Sequence, residues 1–467
     1  MKTLFQNHST ALISLALVSL CSILILLLFN GIGEEADSFH HYLIARYAPG
    51  HPKLYFDHWG KPIYTLLSSP FAQFGLIGSK IFNLICSLTS AFIAYLISKE
   101  LKLKQPALVI LLIFLIPLNF QVNFSAFTEP LFALALMGVI WLSLKNKLNL
   151  AMIIVSFMPL IRSEGLLIIG VFGLWLLIRK DFKRIPLLAV GQVAYGLMAW
   201  IFFGKSPLWT FSEIPYANMD SPYGSGGLFH FAEKLIYICG FPLLLLFLCG
   251  LLWSLFKYRN QRNEWNVLII GSFFAFFIFH SLAWYFGWFS SMGLKRVFGA
   301  ITPLMGIIML YGLNSITALF KNEKLKRWFS WIYPLIAAVF LFSGGPAAVN
   351  WSHEMNLTPS QKLADEVGTY IKEEGIEYRR LIYADRFLQH SLQNDPYDYR
   401  EYWPLEREIL SKIRKDDLLI WDNWHATTDF GIRREMLDNN PQLEALKDFE
   451  IESRGKKVQF VIYKRKK

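Results

Sequence analysis

Charge is scarce in this chain. Of its 467 residues only 17% are Asp, Glu, Lys or Arg, against about a quarter in ordinary soluble proteins, while 54% are hydrophobic and 16% aromatic. So few charges cannot clothe a water-facing surface, which excludes an ordinary soluble protein and leaves a polytopic membrane protein. Cysteine is nearly absent as well. Cys21, Cys86, Cys239 and Cys249 all lie in or beside apolar runs, so the polar C-terminal part has no disulfide framework. There is no GxxxxGK and no GxGxxG, and a nucleotide-driven pump is therefore not expected. No internal repeat and no low-complexity tract is visible.

Acid is scarcer still in the first 350 residues, which hold 13 Asp+Glu against 26 Lys+Arg, whereas the remaining 117 hold 22 against 20. The net charge of +11 thus belongs to the apolar part, and no nucleic-acid partner is expected. Eleven apolar runs, 11–29, 78–97, 106–120, 127–144, 148–161, 164–178, 185–203, 234–256, 265–286, 297–319 and 328–347, read as candidate spans. With the N-terminus inside, 17 of the 26 basic residues fall in inner loops and 9 outside, which sets the orientation. The stretch 148–178 is then a hairpin of two arms, because a single crossing would throw Arg179–Arg184 outside. Each arm is shorter than the roughly 20 residues of a full span, so the turn "PLIRSEG" is expected to sit sunken in the outer leaflet. The first run is an uncleaved anchor rather than a signal peptide, since no small-residue cleavage site follows it. The expected fold is an α-helical polytopic membrane domain over 1–350, of about eleven transmembrane helices, with a small extracytoplasmic α/β domain over 351–467.

Two outer loops stand out. The first, 30–77, is far longer than an ordinary connection and so is expected to carry function. Its second half, broken by Pro62, Pro70 and Gly75, reads as helices lying along the interface. The second, 204–233, is rich in Gly, Ser and Pro and reads as a lid. In the tail, "KLADEVGTYIKEEG" reads as a helix and "RRLIYAD", "DLLIWDN" and "KVQFVIYK" as strands.

The scarce acids are not spread evenly. Glu34, Glu35 and Asp37 fall within four positions at the outer end of the first run. A carboxylate at the membrane edge needs a partner or a task, or else it is simply a solvated loop start. The same edge gathers Lys61 in "HWGKP", Glu129 in "TEPLF", Arg162 and Glu164 in "IRSEG", and Lys295 and Arg296 in "GLKRV". Arg162, in the turn of a short hairpin, needs an anion: a lipid phosphate, or an internal ion pair with Glu164 or Glu129. Lys295 and Arg296 either bind phosphate or snorkel to headgroups. His40, His41, His51 and His58 share the first loop but lack metal spacing, and a zinc site is not expected. Glu35 and Asp37 could instead hold Mg²⁺ or Mn²⁺ through oxygen.

"GEEADSF", "HWGKP", "TEPLF" and "RSEG", in this order and followed by a polar C-terminal domain, resemble the GT-C glycosyltransferases, membrane enzymes that use polyprenyl-phosphate sugars. The resemblance covers about 350 residues and includes the protein O-mannosyltransferases and the aminoarabinose transferases. It implies an inverting transfer from a polyprenyl-phosphate-linked donor, of a hexosyl or mannosyl type, to an acceptor hydroxyl on a lipid, glycan or protein. It also implies a bacterial inner-membrane location and a catalytic acid in the first loop. The family's Asp-Glu pair stands here as Glu34-Glu35, with Asp37 two residues on. Asp37 is assigned as base, with Glu35 orienting it or the acceptor and Glu34 as the third candidate. The candidate substrate-binding residues are His58, Lys61, Glu129, Arg162, Glu164, Lys295 and Arg296. A lipid-linked sugar transporter or flippase is the alternative. It would bind near the midplane on broken helices of related repeats, which this sequence does not show.

Overall fold

The structure is a computed structural model and describes residues 2–28, 30–31, 35–214, 223–257, 263–345, 347–351, 356–453 and 455–466. It is a helical bundle carrying a five-stranded sheet near its C-terminus. Each of the eleven apolar runs holds helix. Six helices are long and apolar enough to cross a membrane: His8–Leu28, Leu76–Glu100, Phe182–Phe203, Glu264–Phe286, Lys295–Ala318 and Glu323–Ser343. Four more apolar helices, Glu129–Leu144, Leu148–Leu160, Gly165–Ile178 and Phe241–Phe256, are shorter. At 1.5 Å per residue the 16 residues of Glu129–Leu144 reach about 24 Å, short of a hydrocarbon core of about 30 Å. The run 106–120 is interrupted at Pro117, whose ring and missing N–H end α5 (Leu108–Phe114) and start α6 (Pro117–Asn123). A count of eleven crossings and an inside N-terminus remain what the charge bias predicts.

The second half of the first long loop holds helix as expected, and its first half holds a helix that the sequence reading did not assign. After α1 (Lys2–Leu28) come α2 (Glu35–Tyr47) and α3 (Pro62–Ala72), and then α4 (Leu76–Glu100). The α3–α4 corner is so tight that a Cβ on Gly78 would lie 1.9 Å from the Phe71 carbonyl oxygen. Further on, α7 (Glu129–Leu144) opens with Glu129 in its first turn and Pro130 beside it, both favourable at a helix start. The hairpin inferred from charge is present as α8 (Leu148–Phe157) and α9 (Gly165–Ile178). Its turn closes because Gly165 has no side chain: a Cβ there would meet the Met158 carbonyl carbon at 2.3 Å. The next span ends in α10 (Val190–Phe203).

In the C-terminal part, helix Pro359–Glu373 is held by a Thr358/Gln361 capping box. Strand order is β2 (Tyr402–Pro404), β1 (Arg380–Tyr383), β3 (Asp417–Asp422), β5 (Lys456–Arg465), β4 (Leu443–Ser453). Strands β2, β1 and β3 run parallel, and β5 and β4 are added antiparallel. This unit does not stand apart from the first loop. Phe39, Tyr42 and Leu43 of α2 share one apolar core with Leu363, Phe387, Leu418 and Phe460. The Phe39 and Phe387 rings lie 5.2 Å apart, and His51 Nε2 meets Asp395 Oδ2 at 2.8 Å. The sheet domain thus clamps the helix that carries Asp37.

Candidate active site

Asp37 and His41 are one helical turn apart on α2, hence on one face, and that face looks into a cavity of about 580 Å³. The head of α7 brings Thr128 and Glu129 to the same cavity. The α8–α9 turn brings Arg162, Ser163 and Glu164, the start of α3 brings Lys61, and the stretch before Thr302 brings Arg296. Three acids and three cations therefore line one chamber.

They are arranged as two linked groups. Arg296 reaches the Asp37 carboxylate in a close ion pair, while its guanidinium lies 4.4 Å from the centre of the Phe127 ring. Arg162 is forked between two carboxylates, with Nη1 2.7 Å from Glu129 Oε1 and Nη2 2.6 Å from Glu164 Oε1. Its Nη1 also donates to Thr128 Oγ1 at 2.9 Å. Both Nη atoms of the planar fork are thus engaged by short charge-assisted contacts. Beneath them His280 Nε2 stands 3.6 Å from Glu164 Oε1. Lys61 Nζ donates to Ser163 Oγ at 3.1 Å, and Lys61 itself adopts φ +62, an unfavourable conformation for a side-chain-bearing residue held at the mouth of α3.

Protonation follows from these neighbours. Burial pushes the Asp37 carboxyl up, but the Arg296 guanidinium, helped by Arg162, holds it below the ordinary carboxylate value. Burial likewise opposes ionisation of Glu164, and the Arg162 charge overrides it, bringing the group down to about 2. Burial takes His41 down to about 3 against the pull of Asp37, and with Lys61 nearby it takes His58 down to about 4. Those two imidazoles are therefore neutral at physiological pH. His41 stacks on Trp59 with 4.6 Å between ring centres, and its Nδ1 is buried with no hydrogen-bond partner. His58 Nε2 is satisfied by the Thr210 carbonyl at 2.9 Å.

Among the sequence candidates, Asp37, His58, Lys61, Glu129, Arg162, Glu164 and Arg296 line the cavity. Lys295 does not. Glu34 lies outside the described residues, as does the side chain of Glu35. Of the two readings of Arg162, the internal ion pair is present, and with both acids rather than one. Sequence reasoning passed over Thr128, Ser163, Trp59 and His280. A lone histidine within "FFAFFIFHSLAWYF" was the one available signal for His280. In the second loop Trp209, Thr210, Ile214 and Tyr223 line the cavity, while residues 215–222 lie outside the described residues.

The expected cation ligand Asp37 is already occupied by Arg296, so Mg²⁺ or Mn²⁺ there would have to compete with a guanidinium. Among the described residues no group of three His, Cys, Asp or Glu side chains could hold a metal ion.

No protein-family profile matches the chain, and no curated protein matches it. Its fold does match solved structures. ArnT from Cupriavidus metallidurans bound to undecaprenyl phosphate superposes with a TM-score of 0.62 at 13% identity, covering 97% of this chain and 98% of that one. The same protein in the apo state gives 0.63 at 12% identity, covering 96% and 97%. At 12–13% identity the likeness is one of fold, and it extends over nearly the whole chain, beyond the four short motifs. With that fold and its apolar helices, the chain is a multi-pass membrane protein.

Proposed function

From the fold shared with ArnT, we propose that this protein is a membrane glycosyltransferase taking a sugar from a polyprenyl-phosphate donor to an acceptor hydroxyl. The observation that carries the reading is the placement of Asp37 and Arg296 as a pair in one cavity with Lys61 and Arg162. Transfer from a sugar phosphodiester needs a base for the acceptor hydroxyl and cations for the leaving phosphate.

In the reaction the acceptor oxygen attacks the anomeric carbon. Its proton passes to the Asp37 carboxylate, the bond from that carbon to the phosphate oxygen breaks, and the electron pair leaves on the phosphate. One displacement inverts the configuration. Charge moves in step. As Asp37 becomes neutral its hold on Arg296 is lost, and the polyprenyl phosphate gains the negative charge that Asp37 gave up. The Arg296 charge, beside that of Lys61, then stabilises the leaving phosphate. Arg162 is committed to Glu129 and Glu164 and acts as the fixed floor of the site. We assign the neutral His41, on the same face of α2 as Asp37, to the acceptor hydroxyl or a sugar hydroxyl.

We place the protein, as the sequence reading does, in a bacterial inner membrane with the sheet domain on the extracytoplasmic side. The expectation of a hexosyl or mannosyl group gains no support from the likeness to ArnT, and the acceptor can be a lipid, a glycan or a protein. The test is the purified full chain with radiolabelled polyprenyl-phosphate sugars, with and without chelator. Sugar released to water or transferred to an acceptor supports an enzyme. Intact donor recovered on the other side of a proteoliposome, with none consumed, would make the protein the alternative, a lipid-linked sugar transporter. Because Arg296 already occupies Asp37, turnover is expected to persist in EDTA.

A further inference from the structure

A second cavity lies at the opposite end of the bundle. Helix α1 runs from this end toward the Asp37 loop over 27 residues, about 40 Å at 1.5 Å per residue. The cavity, about 360 Å³, is lined by His8 and Thr10 of α1, Tyr95 of α4, Gln105 in the α4–α5 loop, and Arg327 and Trp331 of helix Glu323–Ser343. At about 30 Å³ per liquid water it has room for roughly a dozen waters, enough for a phosphodiester headgroup.

Its chemistry is selective. The Tyr95 hydroxyl and His8 Nδ1 are hydrogen-bonded at 2.8 Å. With the hydroxyl as donor, the imidazole carries its proton on Nε2 and offers a donor to an anion. Arg327 supplies a full positive charge at the rim. Opposite these, the Gln105 side-chain oxygen is buried with no hydrogen-bond partner. An acceptor of this kind takes a donor from water or from a ligand hydroxyl. The loop is held in an unfavourable shape to present it, since Lys102 and Gln105 both have positive φ, at +59 and +48. Trp328 and Trp331 beside the pocket are 60% and 41% exposed, and aromatic rings so placed sit at headgroup level in a membrane.

We infer that this pocket is a binding site for the headgroup of an anionic glycerophospholipid. The phosphodiester sits between Arg327 and His8, and a headgroup hydroxyl donates to Gln105. The site ties α1, α4 and helix Glu323–Ser343 to the leaflet opposite the Asp37 cavity, and it does not depend on what that cavity does.

The experiment is native mass spectrometry of the full chain titrated with dioctanoyl phosphatidylglycerol, repeated with glycerol 3-phosphate and with inorganic phosphate as competitors. The wild type should retain one lipid, and Arg327→Ala should weaken retention about tenfold, the loss of one charge-assisted contact. Gln105→Leu should also weaken it, and Lys321→Ala, a basic residue at the same end that does not line the pocket, should leave it unchanged. Wild-type retention by both pocket variants would overturn the inference, as would equal weakening by Lys321→Ala, which would mean a diffuse charge effect. Displacement of the lipid by inorganic phosphate at equal concentration would overturn the lipid headgroup as ligand in favour of a soluble phosphate.

Discussion

Replacing Arg296 by alanine separates the roles assigned to the paired charges. Among the described residues the cavity lining holds Asp37, Glu129 and Glu164 against Lys61, Arg162 and Arg296. Removing Arg296 takes one positive charge from the place where a phosphodiester must bind. At about 6 Å and an effective dielectric near 20, one unit charge acts on another with roughly 3 kcal/mol, which is about a hundredfold. Donor turnover should therefore fall by about two orders of magnitude, within the range found when one preorganised donor is removed from a site of developing charge. Because Asp37 loses the partner that offsets the cost of its burial, the folded state of the variant is measured alongside its activity. A second signature follows. Burial raises the Asp37 carboxyl and Arg296 lowers it, so in the variant the group must titrate higher than in the wild type. Wild-type kcat should be flat down to about pH 5, whereas that of Arg296→Ala should fall with acid at a higher pH. Arg296→Lys should restore part of both. The assay is initial rate of sugar release against pH, with the folded state checked by thermal melting in the same detergent. Rates within twofold of wild type together with an unmoved pH profile would refute the pairing as a catalytic device.

Two further outcomes test the floor of the site. Arg162→Ala leaves Glu129 and Glu164, whose side chains are 2% and 11% exposed, without their shared partner, and breaking a buried pair costs about 3 to 5 kcal/mol. Its melting temperature should drop sharply, with Glu164→Gln in the same chain recovering part of the loss; an unchanged melting point would show that the fork contributes nothing. Stability should also fall steadily with acid. His41 and His58 are held neutral by burial, so the unfolded chain binds more protons than the folded one below their ordinary value of 6.5, down to about 3 and about 4. Glu164, depressed from 4.5 to about 2, adds a stabilisation complete above 4.5 and lost as pH falls through its folded value. On their account thermal melting should decline from about pH 6.5 downward, while His425, raised from 6.5 to about 9 by its aspartate neighbours, adds a stabilisation present below 6.5 and lost as pH rises through 9. A His58→Asn variant should show a shallower first part of that decline, and an identical slope would remove His58 from the account.

What the sequence could reveal is what local pattern and charge bias encode. The apolar runs, the 148–178 hairpin and three of the five strands follow from periodicity, loop charge and β-branched runs. The missed strands lack that pattern. β2 has three residues, and β4, "LEALKDFEIES", is an edge strand with one face left to water and rich in charge. Site membership was legible because acids and cations are so few that each one at a helix end drew notice. Partnership was not. Asp37 and Arg296 are separated by 259 positions, and nothing local links "EEADSF" to "GLKRV". Arg162 offered a choice of two acids, and only the close approach of the head of α7 to the α8–α9 turn, a turn closed at Gly165, shows that it takes both. The burial of α2 under the sheet domain, through Phe39 and Phe387, is likewise a product of packing that no motif announces.

The central claim is that the Asp37 carboxylate takes the acceptor's proton while cations of the same cavity receive the leaving phosphate. The most direct measurement is single-turnover sugar transfer by Asp37→Asn with saturating radiolabelled polyprenyl-phosphate sugar. Asparagine keeps the shape and a hydrogen bond to Arg296 but accepts no proton, so the rate should fall by about 10² to 10⁴ with donor binding intact. A folded Asp37→Asn protein that turns over at close to the wild-type rate would contradict the claim.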